Sequence, residues 1–157
     1  MVKSEQRPML RFLIVQTTAS VVGLQCWMIL FNNFAVELAG LDGFQVGVIG
    51  SVREIPGFLA LLAVFVMLVI REHRLSALSV IFLGIGTALT GFFPSFIGLI
   101  ITTLIMSFGF HYYETVKMSL ELQWISKDRA PQVLGYYVAV GSGASLFSYA
   151  GIMLAWN

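Results

Sequence analysis

The chain has 157 residues, of which 58% are hydrophobic and 11% charged, and its mean hydropathy is +0.88. Soluble domains carry about 25% charged residues, so this composition excludes a soluble fold and defines an integral membrane protein. A net charge of +1 supplies no basic field for nucleic acid, and one cysteine, Cys26, excludes an intramolecular disulfide and a cysteine-rich metal site.

A membrane-crossing helix needs about 20 apolar residues. Five stretches qualify, at roughly 10–35, 43–70, 76–93, 95–124 and 133–156. The expected fold is therefore all-α: a polytopic membrane helix bundle forming a single transmembrane domain over 1–157. The first stretch begins with basic residues. It lacks an A-x-A-like cleavage site, has too long an apolar run and carries Gln25, so it reads as a span rather than a signal peptide. Its polar residues Arg11, Thr18, Gln25 and Asn32 recur at seven-residue intervals and form one stripe. Such a stripe serves either interhelical hydrogen bonding or the lining of a water-filled cavity.

The second stretch carries Gly43, Gly47, Gly50, Glu54 and Gly57 within about 80° of helix circumference. The glycines read as a helix-packing face, with Gly43 and Gly47 in a GxxxG pattern. Glu54 and its neighbour Arg53 are not explained by packing, because each ionised group in mid-membrane costs about 2.5–3.5 kcal/mol. Adjacent residues point about 100° apart, so Arg53 and Glu54 are expected to find separate partners. Pro56 removes a backbone hydrogen bond and is expected to kink the helix.

The third stretch is short and nearly without polar character. On the fourth, Thr103, Ser107, His111, Glu114, Lys117 and Glu121 fall within about 120° of one face. Lys117 stands three residues after Glu114 and four before Glu121, within reach of both. Ionisable groups in spans face a bundle interior and mark a solute or proton path, which singles out His111 and Glu114. Lys117 and Glu121 also fit a wet overhang beyond the membrane. The fifth stretch offers Gly141, Gly143, Ala144, Ser145 and Ser148 as a small-residue packing seam, with Gly141 and Ser145 at its centre.

Lys3, Arg7, Arg11, Arg71, Arg74, Lys127 and Arg129 all fall on one side of these spans. Basic loops are cytoplasmic, which places the N-terminus inside and Asn157 outside. The expected location is a bacterial inner membrane.

The order of features resembles the N-terminal half of the major facilitator superfamily. "GFQVGVIGSVREIPGFLALL" is similar to that superfamily's second helix, and "REHRLSAL" occupies the place of its basic inner loop. "LIMSFGFHYYETVKMSLELQWISKDRAPQVLGYYVAVGSGASL" is similar to its fourth helix, inner turn and fifth helix. The inner-loop GxxxDRxGR pattern is replaced by "VMLVIREHR". Ile105 stands where the family has an arginine four residues before a glycine, here Gly109, and "GSGAS" lacks the family's proline. The resemblance implies twelve helices in two six-helix halves with a substrate site between them, so the chain covers about five of the twelve. It also implies that helices one and four line the cavity, helices two and five meet the other half, and helix three faces lipid.

The function expected from these features is a part of a secondary active transporter moving small solutes by alternating access, inactive without the other helices or a partner half. Gln25, Asn32, Arg53, Glu54, His111, Glu114 and Lys117 are the candidate cavity or proton-path residues, with Glu54 or Glu114 as proton carrier. The partners are the lipid bilayer, a small-molecule or ion substrate and a second transporter half, with no nucleic acid. No cofactor or metal is expected, and no catalysis: His111 and Glu114 supply only two of the three protein ligands a zinc site needs, and no nucleophile accompanies them. The alternative is a non-transporting membrane subunit that assembles through its glycine-rich helices.

Overall fold

The computed structural model describes residues 6–155; Lys3, Trp156 and Asn157 lie outside the described residues. Helix α1 (Gln6–Asn33) runs into a π-helical turn at Phe34–Leu38. The reversal that follows uses Gly40, whose φ of 66° is open to glycine at no steric cost. Asp42 then starts α2 (Gly43–Phe58) with a capping box. Its carboxylate accepts from the Gln45 amide at 2.8 Å, and the Gln45 side chain accepts from the Asp42 amide at 3.1 Å.

A 3-10 turn at Leu59–Leu61 joins α2 to the short α3 (Leu62–Met67). Pro56 lies within α2, whose α-helical geometry persists to Phe58, and the 3-10 turn follows it. Helices α4 (Glu72–Thr90), α5 (Phe96–Trp124) and α6 (Ala130–Ala155) complete the bundle. Helix α4 ends at Gly91, three residues before Pro94, whose ring disfavours helical geometry at the residue before it. The side chain of Ser95 caps α5 by accepting from the Gly98 amide at 3.1 Å. Pro131 sits in the first turn of α6, where its missing N–H costs nothing.

Among the described residues, five helical segments are long and apolar enough to cross a membrane: Arg7–Leu38, Gly43–Met67, Glu72–Thr90, Phe96–Trp124 and Ala130–Ala155. The third starts earlier and ends sooner than the expected 76–93, and the second stops short of 70, because the chain turns at Leu68 and Val69.

Helices α4 and α5 form the most extensive contact. On α4 the buried residues Ser76, Ser79, Leu83, Gly86 and Thr90 alternate spacings of three and four. On α5 Leu99, Thr102, Met106, Gly109, Tyr113, Val116 and Leu120 do the same. This is the heptad spacing that keeps one seam facing a partner helix. The backbones touch at two glycines. A Cβ on Gly86 would lie 2.3 Å from the Met106 amide nitrogen, and one on Gly109 would lie 2.3 Å from that of Leu83. Helix α2 packs on the other side of α5, and α1 packs against α6 and α4.

Two apolar clusters result. One gathers Trp27, Phe31, Ile49, Leu83, Leu99 and Met106; the other gathers Leu13, Leu75, Val116, Leu120 and Tyr137. Between them lie buried polar contacts. The Ser76 hydroxyl bonds the Gln16 side chain, and the hydroxyls of Thr17 and Tyr113 are 3.0 Å apart. Interhelical hydrogen bonds of this kind are worth about 0.6 kcal/mol each in membranes.

Candidate functional site

Helices α1, α5 and α6 enclose an open pocket of about 490 Å³. Gln25 enters it from α1. Glu114, Lys117 and Glu121 enter it from successive turns of α5, and Tyr137, Gly141, Ser142 and Ser145 from α6. The polar positions on α5 recur every three or four residues, so the helix brings all three charges to one side. The Lys117 ammonium donates to both carboxylate oxygens of Glu114, at 2.9 Å each. It also lies 5.6 Å from the centroid of the Tyr113 ring. Lys117 was within sequence reach of both glutamates; among the described residues it pairs with Glu114 alone. Glu121 is half-buried at the pocket wall rather than fully solvated.

A second pocket of about 210 Å³ lies between α1, α2 and α5, lined by Leu24, Met28, Arg53, Glu54, Ser107 and His111 among others. The expectation that Arg53 and Glu54 find separate partners is overturned here. The Arg53 Nε and Nη2 groups both donate to Glu54 Oε1, at 2.9 and 2.7 Å. A guanidinium on a long flexible stem reaches back across the angle that separates adjacent Cβ atoms, and a half-exposed carboxylate in a span gains by pairing. The other oxygen of Glu54 lies 3.9 Å from His111 Nε2. The Arg53 guanidinium also sits over the Trp27 ring, 5.6 Å from its centroid. Ser107 donates to the Arg53 carbonyl, which ties α5 to α2 at this level. Gly57 completes the seat, because a Cβ there would stand 2.9 Å from His111 Cε1.

The two pockets are adjacent: Leu24 lines both, and His111 and Glu114 stand one turn apart on α5, one in each. Of the candidate residues, Gln25, Glu114 and Lys117 meet in the larger pocket, and Arg53, Glu54 and His111 in the smaller. Asn32 is exposed and lines neither. Gly141 and Ser145 line the larger pocket, with Gly141 in ordinary contact with Val21. Gly43, Gly47 and Gly50 abut nothing within 4 Å. Gln16, Thr17 and Tyr113, which tie α1 to α4 and α5 behind the larger pocket, escaped the pattern reading. Their signal was a second stripe on α1, formed by Leu13, Gln16, Ser20, Trp27 and Phe31, all buried. Among the described residues no three His, Cys, Asp or Glu side chains are placed to hold a metal ion.

The fold and these sites define a polytopic membrane protein with two polar pockets in its helix bundle. No family model, curated protein or solved structure matches the chain.

Proposed function

We propose that the chain forms part of a secondary transporter that moves small solutes across the membrane by alternating access. One observation carries the reading: Gln25 of α1 meets Glu114 and Lys117 of α5 at an open pocket within a bundle whose outer surface is apolar. Ionisable side chains are costly at membrane depth and are kept where they serve a path. Glu54, held between Arg53 and His111 in the adjoining pocket, and Glu114 are the proton-carrier candidates.

The further reading, a five-helix portion of a major-facilitator-like half, draws on the exposed helices. The second and fifth spans are the least buried of the five, and Gly43, Gly47 and Gly50 leave room for a close backbone. A second helical half is the partner that such a surface fits, and it would also cover the half-exposed Arg53–Glu54 pair. The basic loops support a cytoplasmic N-terminus.

The test is uptake of a solute panel by cells expressing the protein. Glu114→Gln and Gln25→Ala lower the rate for the transported solute by about tenfold or more, the loss expected when one polar contact to a bound solute is removed. Wild-type rates in both variants would remove the pocket assignment. The empty glycine face of α2 favours a second reading, a subunit that acts by assembly alone. In that case crosslinking through α2 persists while no solute moves.

A further inference from the structure

We propose that the pocket between α1, α5 and α6 takes a solute with a protonated amine on an apolar body, its ammonium seated against Glu121 and the Tyr137 hydroxyl. The inference deepens the transport reading, which concerns the same pocket. It starts from charge. Glu114, Lys117 and Glu121 are the ionisable carboxylates and amine at the pocket wall, one positive against two negative. Lys117 is engaged by both oxygens of Glu114, which leaves the Glu121 carboxylate without an ion pair within 4 Å among the described residues.

A second observation is independent of charge. Tyr137 lines the same pocket, is only 5% exposed, and its hydroxyl has no hydrogen-bond partner among the described residues. A buried phenol left without a partner carries a desolvation penalty that a ligand donor or acceptor removes. An ammonium has three N–H donors and can serve the carboxylate and the phenol oxygen together.

The chemistry narrows the ligand further. An anion would meet the unpaired Glu121 and find Lys117 already occupied. A bare metal ion would want several converging carboxylate ligands, and no three His, Cys, Asp or Glu side chains converge among the described residues, while Val21, Leu24, Met118, Leu134 and Val138 line the wall between its polar groups. Those side chains suit the carbon body of an organic amine, which buries apolar surface while its head finds the carboxylate.

The test is saturation-transfer NMR on the protein in lipid nanodiscs with n-butylammonium, and with n-butanol and butyrate as neutral and anionic counterparts. Butylammonium binds saturably and the other two do not. Glu121→Gln weakens it by about tenfold, the loss of one charge-assisted contact, and Tyr137→Phe by about threefold. Lys117→Met releases Glu114 and tightens butylammonium binding, a gain that a misfolded variant could not produce. Unchanged affinity in Glu121→Gln, or equal saturable binding of butanol, overturns the proposal. The two readings separate cleanly: saturable amine binding without any uptake removes transport and keeps the site. Uptake of other solutes with unchanged rates in Glu121→Gln, and no saturable amine binding, removes the site and keeps transport.

Discussion

Lys117 and Glu114 form a bidentate ion pair within one turn of α5, with 2.9 Å from the ammonium to each carboxylate oxygen. The pair turns two costly charges into one neutral unit at the edge of the larger pocket. Removing one member strands the other at a cost of up to about 3 kcal/mol, reduced by whatever water reaches the pocket. Lys117→Met is therefore expected to lower stability by about 1–3 kcal/mol in a reversible denaturation assay, and Glu114→Gln/Lys117→Met to recover most of the loss. Additive losses in the double variant would show that the pair contributes nothing.

The contact between α4 and α5 depends on the absence of two side chains. A Cβ on Gly86 or Gly109 would meet backbone atoms of the facing helix at 2.3 Å, and backbone cannot swing aside. Gly86→Val and Gly109→Val are each expected to destabilise the bundle by about 3 kcal/mol or more. The corresponding change at Gly47, which abuts nothing within 4 Å, shifts stability by at most about 1 kcal/mol. Thermal denaturation of the three variants in one detergent makes the comparison.

How much of this was legible in the sequence depends on the range of the interaction. Apolar runs of membrane length and helical rotation are local, so the five spans and the gathering of Glu114 and Lys117 on one face could be read directly. The Arg53–Glu54 pairing is not legible from helical rotation, because Cβ directions diverge while the reach of the guanidinium decides. The α4–α5 seam is written in α4 as a heptad spacing of mostly small residues around Leu83, from Ser76 to Thr90, but small residues alone do not say which helix they face. The bonds from Gln16 to Ser76 and from Thr17 to Tyr113 join residues far apart in sequence, and no single-helix pattern names such partners.

Thr17 and Tyr113 provide a graded test of that interhelical contact. Tyr113→Phe removes one partner and leaves a buried hydroxyl on Thr17, with an expected loss of about 1 kcal/mol. Thr17→Val/Tyr113→Phe removes both, and a double-mutant cycle over the four proteins is expected to give a coupling energy near 0.6 kcal/mol, about the membrane average. A coupling of zero would mean that the two hydroxyls do not share a bond.

Gly57 and His111 are matched in shape. Gly57→Leu drives a side chain into the imidazole, whose Cε1 would lie 2.9 Å from the new Cβ, and is expected to destabilise the α2–α5 contact. His111→Ala opens that space, so Gly57→Leu/His111→Ala recovers stability relative to Gly57→Leu alone. Failure of the second substitution to rescue the first in the same denaturation assay would place the clash elsewhere.

Transport through the bundle requires that the polar faces of α1 and α5 meet at a pocket open to water instead of lipid. Thiol labelling in native membranes tests it most directly, starting from Cys26→Ser so that no native thiol remains. Gln25→Cys and Glu114→Cys are expected to react readily with a charged, membrane-impermeant methanethiosulfonate. Ile81→Cys and Ile85→Cys, on the exposed apolar face of α4, stay protected. Equally slow labelling at all four positions would contradict the account and turn the polar faces into dry helix contacts.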